Sequence, residues 1–197
     1  FKTYTGNIGV STSGAGSVGG SYSFSNNNIP AGAVVREAFL YSAGYNFGSA
    51  GFVDGVTFEG NPISWGPRKT NGTACCDLYS VRADVTSIVT PIVDGGPGGS
   101  YTFNVTESVS GGFQGADGTV LVIVYDLASA PLQTVAILDG WASVTGDTAT
   151  VLFGAPFDTS AAGAFFEMRL GINFSCCSQR SEVSVNGTLL TENAGNN

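Results

Sequence analysis

Apolar positions are densest between Gly118 and Gly140, in GTVLVIVYDLASAPLQTVAILDG. Two runs stand out there, Val120 to Tyr125 and Val135 to Leu138. The first is unbroken and rich in β-branched residues, which predicts a strand buried on both faces rather than one that alternates. It is far shorter than the roughly 20 apolar residues a helix needs to cross a bilayer. Pro131 falls in the connector, where its missing N–H breaks no ladder. The stretch therefore predicts a central strand, a loop and a second core strand.

Elsewhere the apolar positions mostly alternate. Ser100 to Glu107 places Tyr101, Phe103 and Val105 on one face of a strand. Ala33 to Tyr45 fits both helix and strand periods in places, but flanking Pro30, Gly32 and Gly44 and its Val, Phe and Tyr content favour a strand. Val35, Glu37, Phe39 and Tyr41 would then share one face, and Val34, Arg36, Ala38 and Leu40 the other. Arg36 and Glu37 read as surface charges. Ser21 to Phe24 predicts a strand closed by a turn at Asn26, Asn27, Asn28 and Pro30. Phe52 to Trp65 predicts short strands broken at Asp54-Gly55 and Gly60-Asn61-Pro62. Thr148 to Phe153, Ala164 to Ile172 and Ser181 to Leu190 predict three more strands, the last with a hairpin turn at Asn186-Gly187. The best helix signal is Asp84 to Val89, with Asp84 capping the first turn.

Residues 1–20 are poor in apolar side chains and rich in Gly, Ser and Thr. They predict an N-terminal arm or edge strand, which could add a strand to a neighbouring subunit's sheet. Residues 21–190 form the predicted sandwich domain, and 191–197 a polar tail. The whole pattern, about ten short strands with at most one short helix, predicts an all-β fold: an antiparallel, jelly-roll-like β-sandwich.

Composition narrows the function. Charged residues are only 11% of the 197, and Gly numbers 29, which suits an extracellular β protein or a packed assembly. The net charge of −8 argues against nucleic acid and anionic membranes as partners. The acids are scattered, as on a solubilising surface. A Ca²⁺ site is the sharper alternative, but no D-x-D-x-D-G loop occurs, so no cofactor is expected.

Catalytic equipment is sparse. The chain has no histidine, which removes the commonest general base and the Ser-His triad. No G-x-x-x-x-G-K-[ST] loop exists, and lysine occurs only at 2 and 69. A carboxylate pair would suffice for a glycosidase, yet nothing in the spacing of Asp117, Asp126, Asp139, Asp147 and Glu167 selects one. Asp126 and Asp139 end core strands, where turn and cap roles are expected. The chain does not read as an enzyme.

Four cysteines form two doublets, Cys75-Cys76 and Cys176-Cys177. They are expected to form disulfides, with three pairings open within the chain. A vicinal bond is strained, because adjacent Cα atoms lie about 3.8 Å apart and disulfides usually span about 4.4–6.8 Å. Bonds between doublets would stabilise by up to about 4.7 kcal/mol. A zinc site or a redox centre would need spacers such as C-x-x-C, which are absent. Of the N-x-[ST] sequons at Asn71, Asn104, Asn173 and Asn186, Asn71 is the best glycan acceptor. Trp65, Trp141 and Tyr45 lie beside Gly in predicted loops and are candidate ligand-contact aromatics, with core filling as their other role.

Several blocks together resemble a known class. AVVREAFLYSAGY, VRADVTSIV at 81–89, DGTVLVIVYDLASAPLQTVAILDG at 117–140, LGINF at 170–174 and VNGTLLTENAGNN at 185–197 occur in order. They resemble the β-rich modules of secreted bacterial surface proteins, found with PEP-CTERM-type sorting tails or in large repeat-bearing proteins. The resemblance implies export to the cell surface or matrix and assigns no catalytic residue. Such modules continue past the AGN segment into an Asp-rich stretch and a sorting helix, whereas this chain stops at Asn197. Starting at Phe1 rather than Met fits a processed, secreted protein. The expected function is that of an extracellular structural subunit that self-assembles into a fibre, pilus-like filament or matrix, with the arm as a donor strand and disulfides as stabilisers. The alternative is a carbohydrate-binding or adhesive module using loop aromatics.

Overall fold

The structure, a computed structural model, describes residues 1–16, 20–45, 55–70, 78–107, 116–140, 143, 145–152, 158–173 and 180–194, with Tyr45 described by its backbone alone. Eight strands come first: β1 (Lys2–Ala15), β2 (Gly20–Ile29), β3 (Val34–Tyr45), β4 (Thr57–Phe58), β5 (Asn61–Pro62), β6 (Leu78–Asp84), β7 (Gly99–Glu107) and β8 (Ala116–Asp126). They make two antiparallel sheets, β6-β3-β8-β1 and β2-β7-β4-β5. Among these eight, apart from the β4–β5 hairpin, each strand is followed by one in the opposite sheet, and each sheet holds four of them. That alternation is the wiring of a jelly roll. A ninth strand, β9 (Leu132–Ile137), pairs with the first half of β1. One helix, α1 (Thr86–Val93), follows β6, and a separate hairpin, β10 (Val183–Val185) and β11 (Thr188–Thr191), comes near the end.

Two apolar clusters flank the larger sheet. Between the sheets lie Leu40, Tyr79, Val81, Leu121, Ile123, Phe58, Phe103 and their neighbours, closed at one end by Val89 and Val93 of α1. On the outer face, Phe39 and Val124 pack with Tyr4, Ile8 and Ile137. The expectation for Val120 to Tyr125 holds: odd positions of β8 enter the inner core, and Val122 and Val124 the outer one. The outer core exists because β1 changes partner midway. Ile8 to Ala15 pair with β8, while Lys2 to Asn7 pair with β9. That first half lies over β3, with Phe1 against Phe39 and Tyr4 against Glu37.

Residues 1–15 are therefore neither a loose arm nor a sheet edge; β1 stands between β8 and β9 in its sheet. Its composition hid this because polar and small residues fill buried positions. Ser11 is buried and donates to Asn27 O at 3.1 Å. At Gly9 a Cβ would come 2.4 Å from the Tyr125 ring, which lies across the strand. The segment expected as the second core strand, Val135 to Leu138, is the edge strand β9 instead. Only Ile137 in it is buried, and Leu138 is exposed.

Other boundaries move for local reasons. The Asn26–Asn28 cluster makes a bulge inside β2, with Asn28 at φ 60°, rather than ending it. A register shift between Val35 and Glu37 sends Val35 to the inner core, so the predicted faces of β3 hold only beyond Arg36. The β4–β5 turn is Glu59-Gly60, both at positive φ, and Asn61-Pro62 belongs to the strand. Asn186-Gly187 does form the expected hairpin turn. The helix starts at Thr86, whose N–H bonds Asp84 Oδ1 at 2.9 Å, and it runs past Val89 to Val93. Residues 148–152 and 164–172 form no strand. Among the described residues, no helix is long and apolar enough to cross a membrane.

Candidate functional site

Of the aromatic residues singled out in the sequence, Trp65 lines an open cleft of about 470 Å³. The loop carrying it is laced to β6: Gly66 N–H donates to Arg82 O at 2.8 Å, and Lys69 and Ser80 exchange backbone bonds at 2.9 and 2.8 Å. The opposite wall is the start of β1 and the outer face of β3. There Phe1 meets Phe39 edge-on, with ring centres 5.2 Å apart. The Arg82 guanidinium lies 3.3 Å from the Phe1 ring centre, a cation–π contact.

Lys2, Glu37 and Arg82 at the cleft are ion-paired. Lys2 Nζ holds both Glu37 carboxylate oxygens at 2.5 and 2.6 Å, and Tyr4 Oη also donates to Glu37. Burial alone would raise the Glu37 pKa; the bonds from Lys2 and Tyr4 outweigh it and hold the carboxyl below its ordinary value. Asp139 bridges Lys69, at 2.6 Å, and Arg82. Behind them, burial chiefly, then the Asp139 charge, push the Tyr41 hydroxyl up to about 12, although Arg82 acts the other way. Asp126 binds Arg36 through both oxygens. Asp126 and Asp139 thus serve as ion-pair partners rather than as turn or cap residues.

This arrangement offers aromatic faces beside fixed donors and acceptors. Such a surface can stack a ring and bond its hydroxyls. Glu37 is committed to Lys2 and Tyr4 as an ionised carboxylate, so it is poorly suited to act as a general acid. Trp65 also packs against the inner core, the other role expected for it, while Phe1, Phe39 and Arg82 beside the cleft were not singled out in the sequence. The only signal was the placement of Glu37, Phe39 and Tyr41 on one face of β3. Cys75, Cys76, Cys176, Cys177, Asn71 and Trp141 lie outside the described residues, as does the side chain of Tyr45. Among the described residues, no group of three or more His, Cys, Asp or Glu side chains could hold a metal ion.

A second feature lies along the outer side of β8. Gly171 sits against Val120, where a Cβ would come 2.9 Å from a Val120 methyl carbon. Asn173 Nδ2 donates to Asp117 O at 2.7 Å. Gly171 and Asn173 thus lie against the body. Around them Phe165, Phe166, Met168, Leu170 and Ile172 are 52%, 63%, 41%, 50% and 40% exposed. The segment forms no strand, and it leaves large apolar side chains at the surface at both odd and even positions.

Compared with protein families, curated proteins and solved structures, the chain matches none.

Proposed function

We propose that this chain is an extracellular structural subunit that associates with copies of itself at a cell surface or in a matrix. The exposed apolar side chains Phe165, Phe166, Met168, Leu170 and Ile172 carry this reading. A contiguous apolar patch marks an interaction surface. Low charge, abundant Gly and the resemblance to exported bacterial surface modules support the same reading. Sedimentation of the purified protein over a wide concentration range, with electron microscopy, tests it. Growth of larger species with concentration is expected; a monomer at every concentration would overturn it.

The Trp65 cleft favours a second reading, a carbohydrate-binding or adhesive module. Jelly rolls include both lectin and capsid domains, so the fold leaves the choice to the surface chemistry. A glycan array probed with the wild-type chain and Trp65→Ala tests it. Binding lost in the variant is expected, and an array silent with intact protein would remove this reading.

A further inference from the structure

Residues 164–173, AFFEMRLGIN, join no ladder among the described residues. A segment that takes up strand geometry without a neighbour is a template for another chain. The order of side chains is self-complementary about Met168. In a two-fold antiparallel pairing centred there, Met168 faces its own copy. Glu167 stands opposite Arg169, Phe166 opposite Leu170, Phe165 opposite Gly171 and Ala164 opposite Ile172, each pair occurring twice. Opposite charges meet opposite charges, and apolar residues meet apolar residues. Any other occupant would have to supply this order from outside.

We propose that residues 164–172 form a two-fold antiparallel strand interface with a second copy of this chain. This rests on the self-association reading and gives it a register. Within one chain, Glu167 and Arg169 now bond each other at 2.7 Å on the surface. An exposed pair of this kind contributes little, so exchanging one in each chain for two across the axis costs little. Pairing also merges two apolar rows of four residues into one face, which suits further growth of an assembly by packing of faces.

Charge exchange tests the register. Dimerisation is measured by sedimentation for the wild-type chain, Glu167→Arg, Arg169→Glu and the doubly exchanged protein. Each single change sets like charges opposite each other twice and is expected to weaken dimerisation at least about tenfold. The double exchange places opposite charges together again and is expected to return the dimer to within about threefold of wild type. Met168→Lys brings two ammonium groups together at the axis and is expected to abolish pairing. These side chains are exposed, so all variants should keep the wild-type circular dichroism spectrum. If wild type associates and the single variants do so equally, or the double exchange fails to restore it, the interface is overturned while the self-association reading stands. If wild type stays monomeric, both fall.

Discussion

Gly44 and Tyr79 are cross-strand partners on β3 and β6, as Gly9 and Tyr125 are on β1 and β8. In both pairs the tyrosine ring lies across the glycine. A Cβ at Gly44 would come 2.5 Å from the Tyr79 hydroxyl oxygen. The backbone at these two glycines lies outside the positive-φ region, so the requirement is space rather than conformation. Gly44→Ala should therefore act as overpacking and cost about 1–3 kcal/mol, read as a lower urea midpoint. An unchanged midpoint would show that the ring moves aside freely. The acids follow a similar logic of neighbours. Asp139 is largely buried and holds two cations, whereas Asp126 and Arg36 form a surface pair worth at most about 1 kcal/mol.

β1 illustrates how an element can differ from its composition. Its first half covers Phe39 and Val124 on the outer face of the larger sheet and buries Tyr4 in doing so. Removing residues 1–7 should expose that cluster. Fully burying one large apolar side chain contributes about 1.5–3 kcal/mol, so the truncated chain should lose at least about 3 kcal/mol in urea unfolding. A detachable arm predicts a different result, namely loss of assembly with unfolding unchanged. The two outcomes separate β1 as a structural strand from β1 as a donor strand. Residues 164–173 show the opposite case. Residues 166–173 alternate apolar with polar or small residues, yet they form no strand.

For the molecule as a whole, buried tyrosines set the alkaline limit. Burial is the leading cause that raises Tyr4, Tyr22, Tyr41 and Tyr125 above their ordinary pKa of 10.0. Their folded-state preference for the neutral phenol is fully present below pH 10.0 and is lost as pH rises from there toward the raised values. Above pH 10.0 the unfolded chain releases protons that the folded chain retains. Stability should then fall by at most about 1.4 kcal/mol per pH unit for each such tyrosine. Unfolding at stepped pH, followed by phenolate absorbance, checks this. Ionisation of these four at pH 10, with no cost in stability, would contradict it.

Periodicity and turn chemistry were enough to place β3, β7, β8, the Asn186-Gly187 hairpin and the all-β class, because strand faces and tight turns are encoded within a few residues. Trp65 was also legible, since a tryptophan among Gly, Ser and Pro stands out. Tertiary structure alone decided the rest. Gly9 and Ser11 look like loop residues until Tyr125 and Asn27 are brought against them. Phe1, Phe39 and Arg82 become neighbours of the Trp65 loop only when β1 crosses β3. The exposure of Phe165, Phe166, Met168, Leu170 and Ile172 follows from packing, in which the segment meets Val120 through Gly171. A period of two marks two faces, but only packing decides which of them looks inward.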